Sequence, residues 1–192
     1  MNWVKSSGLM VFAAVLAMSQ AGWAADHAYV GSNKCRKCHM KEFKSWQESA
    51  MAKSFELLKP GVRAEQKTAA KLDPQKDYTQ DAKCLPCHTT GYGKPGGFTD
   101  MKKTPDLAGV GCETCHGPGG TYVRDGYMTM ENKEYKIEKL IAAGMIERTK
   151  HDTCAGLCHN NKSPFVGPDY VFDYETKKAE GIHVIVPLKF KH

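Results

Sequence analysis

The chain has 192 residues, 41% hydrophobic and 25% charged, with a formal net charge of +6. That is one domain's worth of polypeptide, and its longest apolar stretch, Leu9 to Ala17, is far short of the ~20 residues that span a bilayer, so a polytopic membrane protein is excluded. The lysines are spread along the chain rather than gathered into a stripe, which argues against nucleic-acid binding and leaves a solvated surface or a docking patch for an acidic partner.

In chain order, residues 1–24 read as an export signal. Lys5 supplies the positive region, Leu9 to Ala17 the apolar segment, and Gly22-Trp23-Ala24 a small-x-small cleavage site. The alternative is an uncleaved membrane anchor. Cleavage after Ala24 leaves a single domain, 25–192, with no stable membrane span, in a disulfide-permissive compartment such as the periplasm. Met40 to Leu58 reads as a helix, because Phe43, Trp46, Ala50, Leu57 and Leu58 form one apolar stripe. Pro60-Gly61 stops it. Val62 to Leu72 reads as a second, more polar helix ended by Asp73-Pro74. A glycine-rich loop follows, Gly91 to Gly97, and Gly117-Pro118-Gly119-Gly120 turns the chain again. Glu134 to Met145 reads as a further helix with Ile137, Leu140, Ile141 and Met145 on its buried side. No strand-rich block appears, so the fold class is mainly α.

The chemistry lies in the eight cysteines. They fall into four close pairs, each followed at once by His: Cys35, Cys38 and His39; Cys84, Cys87 and His88; Cys112, Cys115 and His116; Cys154, Cys158 and His159. The first three are Cys-x-x-Cys-His, the attachment sequence for c-type haem. Two thiols one helical turn apart each add to a vinyl group of one porphyrin, and the adjacent His puts its imidazole on the iron. The fourth pair carries one extra residue, with Gly156 in its loop to absorb the insertion. A disulfide framework and zinc held by Cys and His are the rival readings, but both leave the following His unexplained. Four covalently attached haem c groups give roughly 40 residues for each porphyrin, too few for a separate hydrophobic core. The expected fold is therefore a multihaem cytochrome c, with short helices and loops wrapped around four stacked haems.

Beyond the haem motifs, the chain resembles the tetrahaem cytochrome c-554 family, known from ammonia-oxidising bacteria. The resemblance rests on Ser45-Trp46, Leu58-Lys59-Pro60, Lys71-Leu72-Asp73-Pro74 and Lys76-Asp77-Tyr78-Thr79-Gln80-Asp81. It continues through Gly91-Tyr92-Gly93, Gly96-Gly97-Phe98-Thr99, Gly109-Val110-Gly111-Cys112-Glu113 and Cys115-His116-Gly117-Pro118-Gly119. It runs well over residues 25–120 and loosely over 150–185. It implies a periplasmic electron carrier with haems in stacked pairs, first with third and second with fourth. The implied donor is an octahaem hydroxylamine-oxidising enzyme, and a membrane or soluble cytochrome accepts. It also implies a second haem without a distal protein ligand, linked in the family to nitric oxide chemistry.

The sixth positions are less legible. After the proximal His39, His88, His116 and His159, there remain His27, His151, His183 and His192, which by number alone allow four bis-His haems. The family's distal His in the first helix instead aligns with Met51, and the one after the third motif aligns near Met128, with Met130 as fallback. Met is a known sixth ligand in cytochromes c, and equally a common core filler. Twelve residues of helix, about 18 Å, separate His39 from Met51, so Met51 serves another haem, by analogy the third. Met128 would serve the first. His183 aligns with the distal ligand of the fourth haem, the alternative being an exposed His. His151 reads as a surface or propionate contact. The second haem is left open, under Ser163-Pro164-Phe165 by analogy, unless His192 or a neighbouring molecule fills it.

No Ser-His-Asp set, paired acids or nucleotide loop offers rival chemistry, so the leading expectation is a non-enzymatic carrier of single electrons between periplasmic redox proteins. The alternatives are a reductase of nitric oxide or a similar small nitrogen species at an open second haem, and a cytochrome filament subunit joined through His27 or His192.

Overall fold

The structure, a computed structural model, describes residues 27–124, 127–134, 136–146, 156–180 and 183–187. The export segment 1–24, His151, Cys154 and His192 lie outside the described residues.

Short helices and turns make up the described chain: α1 (Ser32–Cys35), α2 (Met40–Gln47), α3 (Ala64–Ala69), α4 (Leu85–His88), α5 (Cys112–His116), α6 (Ile137–Ala142) and α7 (Tyr174–Glu180). Ser54–Leu58 and Pro105–Leu107 form 3-10 turns. Among the described residues the extended pairing is a single antiparallel bridge, Thr89 with Ala108. The mainly α expectation holds.

The haem motifs explain several of these elements. In the first, the Cys38 and His39 amides donate to the Cys35 carbonyl (3.2 and 2.9 Å), so one helical turn sets both thiols and the imidazole along one edge. The second motif forms α4, with Pro86 in its first turn, where a missing N–H costs nothing. The third forms α5, stopped by Gly117 at φ 79.

The helix expected over Met40 to Leu58 is broken after Gln47. Ser49 takes the Ala52 amide on its hydroxyl (3.2 Å), and the Met51 carbonyl accepts the Val110 amide (3.0 Å) from the approach to the third motif. These bonds outcompete the helical ladder, and a 3-10 turn resumes at Ser54. Val62 to Leu72 is likewise shorter than expected. Arg63 (φ 54) and Lys71 (φ 59) are both left-handed, which confines α3 to Ala64–Ala69. In α6, Leu140 and the following Met145 are buried, but Ile137 and Ile141 are 44% and 38% exposed, which corrects half of the expected buried face.

Side chains also build more core than the count of residues per haem suggested. Phe55, Leu58, Tyr78, Leu85, Phe98 and Leu107 form one buried cluster, with Phe55 and Phe98 rings 5.5 Å apart. Tyr122, Leu140, Ala143 and Met145 form a second. Both clusters lie behind the attachment turns: Leu85 belongs to the second motif's helix, and the Tyr122 hydroxyl donates to the carbonyl of Gly117 (2.9 Å) just after the third. Lys67, 3% exposed, is accommodated in the fold by donating to the Lys59 carbonyl (2.7 Å) and lying over the Tyr78 ring.

Candidate haem attachment sites

The motifs come together in pairs. Cys35 of the first lies near enough to Cys112 of the third for each thiol to perturb the other, and the Ser32 hydroxyl accepts the Cys112 amide (3.1 Å). Cys87 of the second contacts Cys158 of the fourth and the Leu157 carbonyl (3.7 Å). The contact with Cys35 holds the Cys112 thiol down to about 6, aided by Ser32, while the same contact and burial push Cys35 upward. Contact with Cys158 similarly holds Cys87 down to about 7. Burial raises Cys84. These thiols cease to titrate once alkylated by a porphyrin, so the lasting feature is the contact, not the charge.

Glu113, the residue after Cys112, explains why the first and third motifs meet. Its carboxylate accepts the Val30 amide (2.9 and 3.1 Å), the Gly31 amide (2.7 Å) and the Gly119 amide (2.6 Å). Burial pushes this carboxyl upward, and the Gly119, Val30 and Gly31 donors pull it back. Thr90 performs a similar role between the second and third. Its hydroxyl donates to the Gly109 carbonyl (2.9 Å) and accepts from the Gly111 amide (2.8 Å) and the Thr114 hydroxyl (3.2 Å). Trp46 adds an indole N–H bond to the Val110 carbonyl (2.9 Å). None of these residues carries a motif signature, and sequence reasoning did not single out Thr90 or Trp46 for these bonds, nor Glu113 as a clamp.

The residues present fit covalent haem. The Nδ1 of His88 donates to the Ser54 carbonyl (2.7 Å). That is the outer hydrogen bond an axial histidine makes, leaving Nε2 for the metal, and burial keeps the ring neutral by lowering its pKa. Cys35, Cys38, Cys84, Cys87 and Cys112 are free thiols, as vinyl addition requires, and the described residues contain no cluster of three His, Cys, Asp or Glu side chains suited to a zinc ion. Gly117 is forced by its positive φ and by the Gly144 carbonyl, which a Cβ would strike.

Other expected site residues are placed as follows. His39 is nearly half exposed, 3.8 Å from the Glu42 carboxylate. His159 stacks on Phe172 with ring centroids 4.1 Å apart. The ring of His183 stands beside that of His116, centroids 6.3 Å apart. Met51 lies half-buried in the turn after α2, so the continuous helix invoked to separate it from His39 is absent. Met128 packs against the Tyr122–Met145 cluster, and Met130 is 58% exposed. His27 touches the Thr121 hydroxyl at 3.3 Å. Phe165, 53% exposed, sits in a turn whose amide donates to the Ser163 hydroxyl.

The family description "Cytochrome c554 and c-prime" matches residues 34–117. Cytochrome c-554 of Nitrosomonas europaea is 48% identical over 118 residues, covering 62% of this chain and 50% of that protein. The chain thus spans about half the length of this curated relative. A solved structure of reduced cytochrome c554 from Nitrosomonas europaea superposes with a TM-score of 0.72 at 34% identity, over 88% of this chain and 91% of that one. The chain belongs to the cytochrome c-554 family. A cytochrome c-554 is a c-type cytochrome, a class whose haem is covalently bound. Among the described residues no helix is long and apolar enough to cross a membrane.

Proposed function

We propose that this cytochrome is a periplasmic tetrahaem carrier that moves single electrons between redox proteins, after removal of residues 1–24. Haem attaches at Cys35 and Cys38, Cys84 and Cys87, Cys112 and Cys115, and Cys154 and Cys158. His39, His88, His116 and His159 are the proximal ligands. By the resemblance, Met128 is the candidate sixth ligand of the first haem, Met51 of the third and His183 of the fourth. The donor is an octahaem hydroxylamine-oxidising enzyme or a similar protein, and the acceptor a membrane or soluble cytochrome.

The observation that carries this reading is the pairwise meeting of the motifs, the Cys112 amide on the Ser32 hydroxyl beside the first motif and the Cys87 thiol on the Leu157 carbonyl of the fourth. Bound haem supplies a one-electron iron couple whose potential follows ligand type and exposure. The protein's part is positional. Glu113 and Ser32 hold the first motif on the third, Thr90 joins the third to the second, and the Ser54 carbonyl fixes the tautomer of His88. Haems held on turns in contact would lie close enough to one another to pass electrons between them.

Intact-mass and pyridine haemochrome measurements on the exported protein test this. The expected result is a chain beginning at Ala25 with four haems, reoxidised within a stopped-flow mixing experiment by a soluble oxidised cytochrome. A chain bearing no added porphyrin, or one that holds its electrons against every such acceptor, overturns it.

A further inference from the structure

The pairing of His116 with His183 carries information about the third haem beyond the attachment sites. An imidazole nitrogen lies about 1.1 Å from its ring centre and metal–imidazole bonds run about 2 Å, so two imidazoles on opposite sides of one metal put their centroids about 6.2 Å apart. The His116 and His183 centroids are 6.3 Å apart. Rings that merely stack come much closer: in this same chain His159 and Phe172 close to 4.1 Å. The 31° between the two histidine planes is compatible with axial ligation, because an axial imidazole turns about its metal–nitrogen bond.

The second histidine also has the hydrogen bond of a ligand. Its Nδ1 donates to the Val184 carbonyl at 2.7 Å, which fixes the tautomer with Nε2 presented for coordination. This repeats what Ser54 does for His88. The ring is held from outside as well. The Val184 amide donates to the Ser45 hydroxyl of α2 at 3.0 Å, and the neighbouring Trp46 donates to Val110, two residues before Cys112. One helix therefore fixes the approach to the third motif and the segment that carries His183.

We infer that His116 and His183 are the two axial ligands of one iron, making the third haem bis-histidine. This rests on the reading that the third motif carries haem. It departs from the resemblance, which gives His183 to the fourth haem and Met51 to the third. A second imidazole in place of a thioether lowers the potential of that haem.

The experiment uses the full haem-loaded chain and reads axial ligands by near-infrared magnetic circular dichroism, with haems counted by pyridine haemochrome. His183→Met should convert one bis-histidine haem to histidine–methionine and raise its potential, at an unchanged haem count. His116→Met combined with His183→Met should yield a single haem with two methionine ligands. Two separate histidine–methionine haems in the double variant would overturn the assignment, as would an unchanged ligand spectrum in His183→Met. A protein without haem would overturn the functional reading itself. Where the double variant loses haem, the unsubstituted protein decides by paramagnetic NMR. Ring protons of His116 and His183 must then show contacts to the same set of haem methyl groups, and contacts to two different haems would refute the pairing.

Discussion

Glu113 accepts backbone amides from a segment 83 residues away and from nearby Gly119 with a single carboxylate, and it is 1% exposed. A carboxamide in its place keeps the shape but offers one acceptor oxygen and aims an N–H₂ group at a backbone donor. Glu113→Gln is expected to cost about 2–3 kcal/mol, read as a lowered midpoint in chemical denaturation of the haem-loaded protein. Thr90→Val is nearly isosteric, yet it strands the Gly111 amide and the Gly109 carbonyl. It should cost about 1–3 kcal/mol by the same measurement, and a loss within experimental error would show that water replaces the hydroxyl. At this scale the sequence was legible where chemistry demands a spacing, as with His39, His88 and His116. It was silent at Glu113 and Thr90, because their partners come from segments 83 and 21 residues away and leave no local pattern.

The elements show where hydrophobic periodicity misleads. The stripe from Phe43 to Leu58 suggested one helix, but backbone hydrogen bonding by Ser49 and Met51 decided the matter. An apolar stripe reports which side chains face inward, not which carbonyl their amides choose. In α6 the pattern put Ile137 and Ile141 inside, while the structure buries Leu140 at 1% exposure and leaves both isoleucines out. The contrast is measurable. Leu140→Ala should cost about 2–5 kcal/mol through the cavity it leaves, whereas Ile137→Ala or Ile141→Ala should stay within about 1 kcal/mol by thermal unfolding. Gly117 belongs to this scale too. Gly117→Ala meets both an unfavourable φ and the Gly144 carbonyl, and it should lower stability by more than about 1 kcal/mol. A neutral result would mean the α5 terminus rearranges freely.

For the whole molecule, the pairing of attachment turns is the organising fact. Replacing Cys84 and Cys87 with Ala should remove one covalent haem from the intact mass while leaving the Cys35–Cys112 side of the molecule folded, because the Glu113 and Ser32 bonds do not involve the second motif. Loss of all haem from that variant would show that the two pairs assemble only together. The mainly α architecture was readable from the absence of a strand-rich block, and Gly and Pro marked where its helices stop. The two apolar clusters were not, since counting residues per porphyrin treats the haems as the sole interior. Phe55, Leu58 and Leu85 pack behind the attachment turns, where a short chain still needs a backing.

The Glu113 clamp also bears on how the protein is made. Synthesis runs from the amino end, so the Val30 and Gly31 amides emerge long before the carboxylate that holds them, 83 residues downstream. Until then the segment just before Cys35 lacks the carboxylate that ties it to the third motif. The first attachment turn therefore gains its tie to the third only once the chain has reached Glu113, while Cys38 stays exposed even then.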